Sequence, residues 1–199
     1  MTGRDATPPN GAGGRNERPG IPEDARRRHA ARLRDVPRMT DPRDFTQFEE
    51  WSLVSDQVMG GVSTGTLVVE RIDGRDALRM RGGVRLENDG GFLQMARDLT
   101  PDGTDFDASG HTGVEIEVIG NGESYNVHLR TADVEKSWQS YRATFDAPAR
   151  WTTLRFPFDA FSPHRIEAPF DAAHLRRIGL VAIGRAFHAD LALGSLRFY

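Results

Sequence analysis

The chain contains no cysteine among its 199 residues. That excludes disulfides, thiolate zinc sites and a cysteine nucleophile. No run approaches the roughly 18 apolar residues of a transmembrane helix, and the N-terminus carries no apolar stretch of the secretory kind. A large charge of one sign is missing too. The formal net charge is -3, so nothing global favours nucleic acid or an anionic membrane. Neither a phosphate loop nor a dinucleotide fingerprint is present, and His29, His111, His128, His164, His174 and His188 show no zinc spacing. Amphipathic helical periodicity is scarce. These absences leave a soluble globular protein, expected in the cytoplasm and at most peripheral to a membrane, with no cofactor.

What is there falls into two parts. Residues 1–41 are rich in Arg, Gly and Pro and poor in large apolar side chains, so this tail is expected to be disordered. Within it, Asp24 to Arg34 is basic and helix-prone, which fits an electrostatic arm or a tail without a role. Asp5, Glu17, Asp24 and Asp35 speak against an organelle presequence. Met39 stands just before the folded part, so the residues ahead of it read as an extension.

Residues 42–199 read as strand after strand. Val114 to Val118 alternates with period two, placing Glu115 and Glu117 on one face and apolar residues on the other. Leu67 to Val69, Ala77 to Arg81, Phe92 to Met95, Tyr125 to Arg130, Gln139 to Phe145, Thr152 to Phe156, Ile178 to Ile183 and Leu191 to Phe198 give further strands. Turn chemistry separates them at Asp73-Gly74, Asn88 to Gly91, Asp102-Gly103 and Gly120 to Gly122. Phe158 to Phe161 and Asp171 to Leu175 are expected to form a helical turn or two. Short strands at this spacing make an all-β sandwich or barrel.

Gln139 to Phe156 reads as a hairpin turning over Asp146 to Ala149. Tyr141, Ala143, Phe145, Thr152, Leu154 and Phe156 then face inward. The outer face carries Trp138, Arg142, Trp151 and Arg155, a surface suited to stacking and bidentate hydrogen bonding. The competing reading has Trp151 sealing the sandwich and Trp138 packed under a loop.

Three motifs bear on chemistry. Gly61-Val-Ser-Thr-Gly65 matches the G-x-S-x-G nucleophile elbow, but that elbow needs a helix after the serine and a β-branched run follows here. Asp102, Asp105 and Asp107 put three carboxylates in six residues. This is the one metal reading on offer, as a calcium loop, against an Asp-Gly turn with solvated acids. Trp51 to Gly65 holds Ser55-Asp56-Gln57 and Gly60-Gly61, with glycines expected at backbone angles other residues resist. No nucleophile–base pair emerges, so a non-catalytic protein is expected.

Trp51 with Ser55-Asp-Gln-Val-Met-Gly-Gly-Val-Ser63 resembles the opening of the complex I intermediate-associated protein 30 family. Val84-Arg-Leu-Glu-Asn-Asp-Gly-Gly-Phe92 is similar to its second signature. Tyr125 to Arg130, Tyr141 to Phe145 with Trp151 and Phe156-Pro-Phe158, Ile178-Gly-Leu180 and the closing Leu-x-Phe-Tyr follow in order. The resemblance covers about Phe45 to Tyr199. It implies a galactose-binding-like jelly roll and a chaperone that assembles the membrane arm of respiratory NADH:ubiquinone oxidoreductase through protein contacts. Plant relatives act in organellar RNA translation. If the two signature loops meet, Asp56, Gln57, Asn88 and Arg130 form a polar cluster, read either as a partner site or as a buried network fixing the loops. Partners are therefore expected to be proteins, such as respiratory-complex subunits. A carbohydrate held by the Trp138, Arg142, Trp151 and Arg155 face is the alternative, and nucleic acid is not expected.

Overall fold

The period-two segments become eleven strands in a computed structural model, which describes residues 44–199. In chain order they are β1 (Ser52–Ser55), β2 (Thr64–Ile72), β3 (Arg75–Val84), β4 (Phe92–Asp98), β5 (Gly113–Gly120) and β6 (Ser124–Thr131), then β7 (Ser140–Asp146), β8 (Thr152–Pro157), β9 (Ser162–His164), β10 (Leu175–Ile183) and β11 (Phe187–Phe198). The expected tail, its basic segment and the boundary at residue 41 lie outside the described residues.

Two antiparallel sheets face each other as a jelly-roll β-sandwich. One has six strands in the order β1-β4-β10-β6-β7-β9, the other five in the order β2-β3-β11-β5-β8. Apolar residues of one parity fill the space between them, with Met80, Leu93, Met95, Ile116, Leu129 and Leu180 fully buried. Each such side chain contributes about 1.5–3 kcal/mol by leaving water. Trp51 is buried, and its indole N–H donates to the Phe45 carbonyl at 3.1 Å. The Phe45 ring meets Phe106 and Phe198 edge-on. The two helical segments expected from sequence are single 3₁₀ turns, Phe158–Ala160 and Ala172–His174. No helix among the described residues is long and apolar enough to cross a membrane.

The hairpin expectation is overturned. β7 pairs with β6 and β9 in the six-stranded sheet, whereas β8 pairs with β5 in the five-stranded sheet. The chain over Asp146 to Trp151 is an arch between sheets. Inward parity survives, since Tyr141, Ala143, Phe145 and Phe156 are buried. The reason is general: alternation reports which face is apolar but not which strand lies alongside.

Candidate functional site

Asp56 is fully buried between the two signature stretches. Its carboxylate accepts from the Ser63 amide (2.9 Å), the Ser63 hydroxyl (2.5 Å), the Gly91 amide (2.5 Å) and the Phe92 amide (3.3 Å). Burial alone would raise its pKa. The Ser63 hydroxyl and the three amides more than offset this, and the carboxyl sits below its ordinary value. Gly61 and Gly90 pack on either side: an added Cβ would lie 2.3 Å from an Asp56 atom at the first and 2.6 Å at the second. Close approach, not backbone angle, therefore calls for glycine there. Gly60 (φ 89°) and Gly91 (φ 122°) do take left-handed angles, as expected.

The same clasp accounts for the G-x-S-x-G match. Ser63 is fully buried, its hydroxyl also accepts from the Arg85 amide at 2.9 Å, and β2 begins at the next residue. No nucleophile elbow is formed. Gln57 donates to the Ser63 carbonyl (3.1 Å) and Asn88 to the Gly60 carbonyl (3.1 Å), so both reinforce the loop pair.

Arg130 belongs to a different place. Residues of outward parity on the six-stranded sheet floor a groove with a volume near 440 Å³. Cross-strand register lays them out in rows. One row holds Asp98, Arg177 and Arg130; the next holds Ala96, Gly179, His128 and Arg142. Beyond these lie Gln94 with Val181, then Phe92 with Ile183. The signature loops wall one side through Val58, Met59 and Leu86, and the β6–β7 loop walls the other through Ser137 and Trp138. Met59 and Ser137 touch across the top, with Sδ 3.9 Å from Oγ. The groove thus runs from a cationic end to an apolar end.

His128 is buried in the groove floor, and its Nε2 has no hydrogen-bond partner among the described residues. Desolvation, then the charges of Arg142, His164 and Arg130, push its pKa down to about 3. It is neutral at physiological pH. Alternation along Tyr125 to Arg130 is enough to put His128 on one face with Asn126 and Arg130. Arg177 was missed, although parity on β10 could have found it, and so was His164, whose three-residue strand gives no pattern to read; Val58 and Met59 were missed too, and their signal was an apolar pair inside a glycine-rich turn.

The expected Trp and Arg surface is divided. Trp138 and Arg142 stand at the groove, with Trp138 half-exposed. Trp151 lies on the other sheet, packed against Gly194 with the Arg75 guanidinium 4.8 Å from its ring centre. Arg155 is bound there by Glu115 (2.6 Å) and sits over the Tyr199 ring. The four side chains cannot form one face, because β7 and β8 belong to opposite sheets.

The candidate calcium carboxylates are also separated in use. Asp102 accepts from Thr104, Asp105 from the Arg176 guanidinium while bonded to His174, and Asp107 from the Ser109 amide. Among the described residues no three metal-ligating side chains come together.

Solved structures share this architecture. One is a Family 11 carbohydrate-binding module from Clostridium thermocellum in complex with a β-1,3-1,4-mixed-linked tetrasaccharide. It is 12% identical over 78% of this chain and 94% of that one, with a TM-score of 0.60. Another is a Family 30 carbohydrate-binding module of a cellulosomal cellulase of the same organism, 14% identical over 75% of this chain and 91% of that one, with a TM-score of 0.56. At such identities the likeness shows the fold. No curated protein matches the sequence. The family model described as complex I intermediate-associated protein 30 matches residues 39–193.

Proposed function

Since the chain belongs to the complex I intermediate-associated protein 30 family, we propose that it is a non-catalytic binding module that helps assemble respiratory NADH:ubiquinone oxidoreductase by holding a protein partner in the groove of the six-stranded sheet. One observation carries the choice of surface. Val58, Met59, Leu86 and Trp138 are 71%, 50%, 51% and 49% exposed, and all four line this groove. The other large apolar side chains left exposed among the described residues are Val68 and Val69 on β2. Apolar side chains gathered at one concavity mark a contact surface. The cytoplasmic side of the membrane is the working location in this reading.

The test is affinity purification of the tagged chain from its host's membrane and soluble fractions, read by mass spectrometry beside a Val58→Ser/Met59→Ser variant. NADH dehydrogenase subunits should be enriched with the wild type and lost with the variant. An eluate of abundant soluble proteins alone, or equal enrichment by both, would sink the assembly reading.

A carbohydrate ligand is the second reading. It is favoured by the half-exposed Trp138 ring beside Arg142, which now carries that reading without Trp151 or Arg155. A glycan array should then give signals that disappear in Trp138→Ala, and a blank array removes it.

A further inference from the structure

Among the described residues most arginines are matched by a carboxylate. Arg75 bonds Glu117, Arg79 bonds Asp190, Arg155 and Arg197 bond Glu115, Arg176 bonds Asp105 and Arg177 bonds Asp98. Among the described residues Arg130, Arg142, Arg150 and Arg165 have no carboxylate partner, and three of those four line the groove. Two of the three have been brought out of water to get there. The ionised forms of Arg130 and Arg142 are disfavoured first by desolvation, then by neighbouring cations, Arg177 for the former and Arg165 for the latter, with Asp98 opposing this in part at Arg130. Arg130 and Arg177 are direct cross-strand neighbours, an arrangement of like charges that weakens a sheet.

Their hydrogen-bonding capacity is largely unused. Arg130 donates to the Lys136 carbonyl at 3.0 Å. Arg142 donates to the Ser140 hydroxyl at 2.9 Å and, more weakly, to the Trp138 carbonyl at 3.4 Å. A guanidinium has five N–H donors, so most remain available. Beside them, in cross-strand register with Arg142, lies buried His128 with its unpartnered Nε2. A buried polar atom without a partner lies next to half-buried cations, Arg142 with no carboxylate partner and Arg130 with only Asp98 near it, which is already paired with Arg177; such a site is arranged for a negative group that arrives from outside.

We infer that the cationic end of the groove binds a carboxylate from an acidic segment of a partner polypeptide, held between Arg130 and Arg142 over His128, with an apolar neighbour of that acid seated against Val181, Ile183 and Phe92. This deepens the proposed protein-binding function and rests on it. Three observations select this occupant. The guanidinium fork matches a carboxylate in two parallel hydrogen bonds. The far half of the groove is apolar apart from Asp89, and the whole groove is about 440 Å³ in volume, enough for a few side chains. The net charge of -3 repels a long polyanion such as nucleic acid while the local field attracts one acid. The chain's own N-terminal stretch is rich in arginine and has the wrong sign for this end.

A display library of random peptides, panned against the full chain, tests this. Selected peptides should be enriched in Asp or Glu next to an aliphatic or aromatic residue. Replacing that acid by its amide should weaken binding about tenfold or more, and so should Arg130→Gln/Arg142→Gln. Arg71→Gln, on the other sheet, should bind as the wild type does. Selection without acid enrichment would overturn the inference, as would amide peptides that bind equally. The amide comparison needs no variant, so it decides even if the double variant folds poorly. Tighter binding of a single-stranded RNA homopolymer than of any selected peptide would also overturn it, in favour of a nucleic-acid site. Acid-selective peptides alongside a purification empty of respiratory subunits would remove the assembly role and leave this site standing. Respiratory subunits captured without acid selectivity would do the reverse.

Discussion

Asp56 concentrates more of the structure in one side chain than any other residue of the signature stretches. Its carboxylate satisfies three amides and a hydroxyl while buried. Asp56→Ala leaves the three amides without an acceptor, while the Ser63 hydroxyl keeps the Arg85 carbonyl at 3.3 Å, and should cost about 3 kcal/mol in denaturant unfolding. The pH dependence follows from the direction of its pKa. The folded value lies below the unfolded one, so the stabilisation is complete above about pH 4, the ordinary range of an aspartate. It is lost as pH falls through the lowered folded value. Wild-type stability should therefore decline in acid more steeply than that of Asp56→Asn, and parallel profiles would sink this account. The sequence pointed to Asp56 and left two roles open, partner contact or loop network. A carboxylate with four internal donors and no exposure serves the network. Linear order could not decide this, because Gly91 and Phe92 are distant in the chain.

Strands were readable where their parity was clean. The segments expected from Leu67 to Phe198 fall within strands except for Gln139, one residue ahead of β7, while the short β1 and β9 were missed because four and three residues hold too little alternation. Pairing was the illegible part. A turn of Asp, Ala and Pro serves an arch between sheets as well as a hairpin, and both keep Tyr141 and Phe145 inside. The consequence for function is that Trp138 and Trp151 report different things. Trp151→Ala empties a packed position against Gly194 and Arg75. It should lower stability by about 3 kcal/mol, near the lower end for a truncated tryptophan, and leave the binding of selected peptides unchanged. Trp138→Ala should change stability by no more than about 0.5 kcal/mol and weaken those peptides about tenfold. Denaturant melts and peptide titrations on the two variants separate the cases, and matched behaviour of both would contradict the division between sheets.

At the scale of the whole molecule, the two signatures are one construction. Asp56 clasps the loops that carry Val58, Met59 and Leu86, and the groove lies beneath them. The sequence showed both motifs but not their joint product, since a groove floor drawn from β4, β10, β6 and β7 depends on strand order rather than on any local pattern.

The clasp bears on how the molecule breathes. Surface loops ordinarily open on their own, far more often than the strands they connect. Here the amides of Ser63, Gly91 and Phe92 are bound to a buried carboxylate, so their exchange with solvent should be slowed toward that of the strands. These loops are thereby enrolled in the cooperative unit of the sandwich. On this account the rim of the groove keeps its shape as long as the sheets do, and the proposed partner meets an aperture that is already set.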